Sequence, residues 1–96
     1  MNEPLIPTKD LIFAKVKEVI REQLKEPDLH IGLDSRFDDL GLDSLDVVEI
    51  ELVLEMHYKF RVEDCDPQLG HKVNSLEIVM ELVDFVQEAL VQDRII

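Results

Sequence analysis

Residues 41–55, GLDSLDVVEIELVLE, decide how this chain folds. The run does not alternate as a half-buried strand would; wound at about 3.6 residues per turn it sorts into two apolar faces separated by carboxylates. Val47, Ile50, Leu54 and Tyr58 share one side of the helix. Leu45, Val48, Leu52 and Met56 share the other, with Glu49 on one border and Glu51 and Glu55 on the opposite border. A small bundle readily buries one helix face, whereas two opposed faces need neighbours on both sides. The first face is therefore assigned to the core. The second is either covered by the preceding loop or exposed as a docking surface.

Working outward, Pro4 and Pro7 mark an irregular lead-in over residues 1–7. Thr8 is placed to cap a first helix that carries Asp10 in its opening turn and Ile12, Val16, Val19 and Ile20 on its buried face, ending near Leu24. Lys15, Lys17, Arg21 and Lys25 fall on the face assigned to water. A long connection over 26–43 follows, interrupted by Pro27, Gly32 and Gly41, with Leu33, Phe37 and Leu40 as its anchors into the core. The second helix is expected over Ser44–Tyr58. Asp66, Pro67 and Gly70 predict one short turn of helix with a cap, a first residue and a stop. Asn74 and Glu77 fit a capping box opening a last helix to about Val91, with Leu76, Val79, Val83, Val86 and Leu90 as its buried stripe and a tail over 92–96. The expected architecture is an all-α single domain over 1–96, a small bundle of three long helices and one short one with a long first loop.

Composition agrees with one core. The 96 residues are 46% hydrophobic and contain no tryptophan, so Val, Ile and Leu must fill the interior. The formal net charge of −12 argues against a phosphate-neutralising nucleic-acid surface and favours basic partners. No apolar run reaches the length of a membrane span and no signal-peptide pattern is present, which predicts a cytoplasmic chain. A single cysteine, Cys65, forms no internal disulfide.

Between Asp34 and Glu55 eight carboxylates face one cation, Arg36. Like charges at this density weaken a fold, and here they coincide with the second apolar stripe, which points to a partner carrying Lys and Arg around an apolar cleft. Catalysis has no comparable support. Ser44 lacks a recognisable base nearby in sequence and a G-x-S-x-G elbow, and His30, His57 and His71 have no zinc spacing. An EF-hand needs an acid five residues before its glycine; Pro27, Arg36 and Cys65 stand there instead, so no metal is expected.

FDDLGLDSLDVVEIELVLE, residues 37–55, resembles the phosphopantetheine-attachment segment of acyl carrier proteins. The likeness extends to AKVKEVIREQL at 14–24 and HKVNSLEIVMELVDFV at 71–86. It implies a four-helix bundle that is a carrier rather than an enzyme. By the same resemblance Ser44 would be esterified with 4'-phosphopantetheine from coenzyme A by a phosphopantetheinyl transferase, and the arm would hold acyl groups as thioesters for fatty-acid or a specialised lipid or polyketide biosynthesis. It further implies that Asp43, Leu45, Asp46, Val48, Glu49, Leu52 and Glu55 contact acyl-transferring and ketosynthase-type enzymes with basic docking surfaces; Met56 departs from the family's pattern and joins these positions through its place on the second apolar stripe, and the chain is expected to be a monomer. Two other readings stand beside it: an aminoacyl or peptidyl carrier, and an unmodified helical interaction module of the same fold.

Overall fold

The computed structural model describes residues 6–95, so most of the lead-in lies outside the described residues. Among the described residues four α-helices form: α1 Lys9–Leu24, α2 Ser44–Tyr58, α3 Pro67–Lys72 and α4 Val79–Ile95. The Thr8 hydroxyl accepts from the Leu11 N–H at 3.3 Å, as the capping pattern predicts. α1 packs against α4 and α2, and the core is aliphatic, with Ile12, Val16, Ile20, Ile50, Leu54, Leu82 and Leu90 among its fully buried side chains. Among the described residues there is no strand, only one antiparallel bridge between Arg36 and Ile78.

The chain departs from the expected pattern where distant segments meet. Gly70 does not stop α3, which continues to Lys72 and tightens into a 3-10 turn over Val73–Ser75. Nor do Asn74 and Glu77 open the last helix. Residues 76–78 are extended because they pair with the long loop: Phe37 N–H donates to Glu77 O at 3.0 Å, Val79 N–H to Ser35 O at 2.9 Å and Met80 N–H to Leu33 O at 2.9 Å. Glu81 supplies the cap instead, its Oε1 accepting from the N–H groups of Glu77 and Ile78 at 2.7 and 3.2 Å. α4 then runs to Ile95, so the expected tail is largely helix. A second 3-10 turn, Val62–Asp64, follows α2.

In the loop the anchors also differ. Phe37 is buried and Leu40 half-buried, but Leu33 is exposed and Ile31 and Leu42 fill the interior. Arg21 is only partly solvated; its Nε donates to Leu29 O at 2.9 Å and ties the start of the loop to α1. Gly41 turns the chain into α2 with φ +87°, a backbone that residues bearing a Cβ rarely adopt.

α2 buries Val47, Ile50 and Leu54 of the predicted face and leaves Tyr58 half-buried against the core, while Leu45, Leu52 and Met56 are 64%, 50% and 78% exposed. The loop does not cover the second stripe. Glu51, expected on its border with water, is instead 3% exposed. On the same flank, Val62 N–H from the chain that follows α2 donates to Glu55 Oε1 at 3.4 Å. Glu51 Oε2 has no hydrogen-bond partner there. Burial pushes the Glu51 carboxyl up to about 9, and hydrogen bonding with Glu55 and its charge act in the same direction.

These positions carry two tests. Leu54→Ala removes side chain from a filled site and should cost about 2–5 kcal/mol in urea unfolding, whereas Leu52→Ala should cost far less; equal losses would return the second stripe to the core. For Glu51 the sign follows from linkage. Below about pH 4.3, the ordinary value for glutamate, it is neutral folded or unfolded; between there and 9 unfolding releases a proton, so stability falls as pH rises. Glu51→Leu should therefore melt above the wild type at pH 8, with the gap narrowing towards pH 4. A gap independent of pH would show that the carboxyl does not titrate in this way.

Candidate functional site

The beginning of α2 is built by its own sequence. Asp43 is extended and its Oδ1 accepts from Asp46 N–H at 2.9 Å, while Asp46 Oδ2 accepts from Asp43 N–H at 3.1 Å. This reciprocal pair fixes the entry of the chain into the helix with two aspartates in the roles usually held by Ser or Thr and Glu. Ser44 is consequently the first helical residue, exposed beside the unpaired N–H groups of the opening turn.

The sequence contains three serines, and their surroundings differ. Ser35 Oγ accepts from Gly32 N–H at 2.9 Å, and Ser75 Oγ donates to Lys72 O at 3.0 Å. Both belong to the folding of their own turns. Ser44 is the serine presented without such a duty, at the rim of a cleft of about 210 Å³ whose walls include Val47 from α2, Arg36 from the loop, and Leu76 and Glu77 from the extended segment. No histidine, lysine or cysteine lines this cleft, so it offers Ser44 no base stronger than a carboxylate.

Down α2, the side chains singled out from the sequence fall into three groups. Leu45, Leu52 and Met56 form an exposed apolar line with Val48 half-buried between them. Val53, exposed on the adjoining flank, widens the patch beyond what the two-face pattern assigned. Asp43 and Asp46 are occupied with the cap but remain accessible to differing degrees, and exposed Glu49 accepts from Gln23 Nε2 of α1 at 2.9 Å. Glu55 is the exception, because its bond to Val62 N–H turns it towards the chain after α2. The patch ends in a cleft of about 540 Å³ lined by Leu52, Met56, Phe60, Lys59 and Arg61, where the charge is no longer purely acidic. Sequence reasoning passed over Arg36 as a site residue; its position as the lone cation in the acidic stretch was the available signal.

Ser44 is suited to carry a phosphoryl ester. Its hydroxyl is accessible, and the helix N-terminus behind it tolerates negative charge. Among the described residues no group of three or more His, Cys, Asp or Glu side chains is arranged to hold a metal ion.

Comparison with known proteins shows the family. The family profile described as "Phosphopantetheine attachment site" matches residues 14–65. An acyl carrier protein of Borrelia garinii subsp. bavariensis is 35% identical over 80 residues, 82% of this chain and 92% of its own length. One from Clostridium acetobutylicum is 36% identical over 74 residues, 76% of this chain and 92% of its own. Another, from Exiguobacterium sibiricum, is 35% identical over 81 residues, 83% and 95% of the two chains. No solved structure matches the chain significantly.

Proposed function

We propose a function from one premise: the chain belongs to the acyl carrier protein family. It is a carrier rather than a catalyst, and its cofactor is a covalently attached 4'-phosphopantetheine. Ser44 is the attachment residue. The observation that carries this assignment is that Ser44, alone among the three serines, combines an exposed, uncommitted hydroxyl with the first position of a capped helix.

In the modification, Ser44 Oγ bonds to the phosphorus that bears the pantetheine group of coenzyme A. The bond from that phosphorus to the departing adenosine 3',5'-bisphosphate breaks, and the hydroxyl proton passes to a base of the transferase. The carrier's own residues present the hydroxyl and are recognised. Once attached, the group supplies a terminal thiol that holds an acyl chain as a thioester.

The recognition surface is the line Leu45, Val48, Leu52 and Met56 with Asp43, Asp46 and Glu49 beside it, and Glu55 as a lesser contributor because it is half-buried and one of its oxygens is engaged by Val62 N–H. Its carboxylates steer basic docking surfaces on the phosphopantetheinyl transferase and on acyl-transferring and ketosynthase-type enzymes, while the apolar line is buried on contact. The cargo is an acyl group of fatty-acid or of specialised lipid or polyketide synthesis. The mixed charge around Met56, Lys59 and Arg61 favours a dedicated set of partners. The protein acts as a cytoplasmic monomer; among the described residues no helix is long and apolar enough to cross a membrane.

Incubation of the apo-protein with coenzyme A and a phosphopantetheinyl transferase should add the mass of one phosphopantetheine to the intact chain. Ser44→Ala should gain none while keeping its unfolding free energy within about 0.5 kcal/mol, as surface substitutions do. A mass gain in that variant would overturn the assignment.

A further inference from the structure

Arg36 is the only Lys or Arg between Lys25 and Lys59, a stretch that also holds the attachment serine. Its backbone is held firmly. It forms the antiparallel bridge to Ile78, its carbonyl accepts from Leu40 N–H at 3.2 Å, and the neighbouring Phe37 is buried. The side chain is held loosely by comparison. About half of it is exposed, and its one ion pair, Nε to Asp38 Oδ1 at 3.3 Å, joins it to an even more exposed partner. A surface pair of this kind adds little stability and is readily exchanged.

Arg36 also lines the cleft that has Ser44 on its rim. Asp38, Asp39 and Glu77 supply the negative charge around it. An anion added at Ser44 would enter surroundings already crowded by Asp38, Asp43 and Asp46, with the helix N-terminus as its only other electrostatic support. Nε is engaged with Asp38, but a guanidinium has five N–H donors in a planar fork suited to a pair of phosphate oxygens.

We propose that Arg36 is the positioning residue for the phosphodiester on Ser44, exchanging its loose pair with Asp38 for the two non-bridging phosphate oxygens and so holding the base of the arm against the cleft formed with Leu76 and Glu77. This rests on Ser44 being the attachment residue. Arg36 neither takes nor gives a proton. Its effect is to offset the repulsion between the ester and the carboxylates around it, and to restrict the directions in which the arm leaves the helix.

The test compares the apo-protein with the same protein after modification by coenzyme A and transferase, checked first by intact mass. In nitrogen-15 spectra the Arg36 Nε–Hε signal should move on modification and exchange with water more slowly. The phosphorus-31 resonance of the modified wild type should differ from that of modified Arg36→Gln, with Arg36→Lys between them, and added salt should move the wild-type resonance towards the Gln variant. Asp38→Asn, which releases Arg36 without altering it, should enlarge the Nε–Hε shift and serves as the second variant should Arg36→Gln perturb the loop. A mass gain with an unmoved Arg36 signal and identical phosphorus resonances overturns the role of Arg36 and leaves the attachment intact. No mass gain overturns both.

Discussion

Three backbone hydrogen bonds between the long loop and the chain entering α4, from Phe37, Val79 and Met80, hold the working end of this protein together. They clasp parts of the chain that are far apart in sequence and force residues 76–78 to be extended, which delays α4 to Val79. Phe37 and Leu42 are carried into the core by the same clasp, and Gly41 then turns the chain into the cap of α2. Ser44 thus stands on a helix whose start is secured from two directions: locally by Asp43 and Asp46, and at a distance by a loop pinned to α4. A serine on an unanchored loop would present the same hydroxyl with no fixed direction for the attached arm.

The carboxylates of this acidic chain serve physically different ends. Asp43 and Asp46 spend hydrogen-bonding capacity on the helix start, and Glu81 does the same for α4. Glu49 stays at the surface, where its charge acts over about 8 Å at physiological ionic strength and can guide an approaching partner. Glu51 is enclosed and held neutral up to about pH 9, so it opposes folding at neutral pH and contributes nothing to the outer field. Counting acids in the sequence therefore overstates the charge offered to partners. It also conceals the value of Arg36, whose single positive charge sits where the negative charge is densest.

Much of the site was legible before any coordinates. The two faces of α2, its start at Ser44 and the resemblance around Asp43-Ser44-Leu45 all come from a short stretch in which each residue's role depends on neighbours one to four positions away. The Asn74–Glu77 pattern failed for the complementary reason. It is a sound local signal for a helix start, but the backbone pairing of residues 33–37 with 77–80 outweighs it. Glu51 misled in a similar way, because a helical wheel places it on the border between the two apolar faces and only tertiary packing determines whether that border meets water.

By itself the sequence determined that the chain is all-α, that α2 begins at Ser44, and that Leu54 faces inward while Leu52 faces out. These depend on helical period and on hydrogen bonds spanning three or four residues, both of which act within one segment. The tertiary structure alone decided that Leu76 and Glu77 come to stand across a cleft from Ser44, that Arg36 joins them there, and that Glu51 is buried. Each of those outcomes requires two distant segments to settle against each other, and the free energy that selects their arrangement lies in backbone pairing and burial between them, which no single segment encodes.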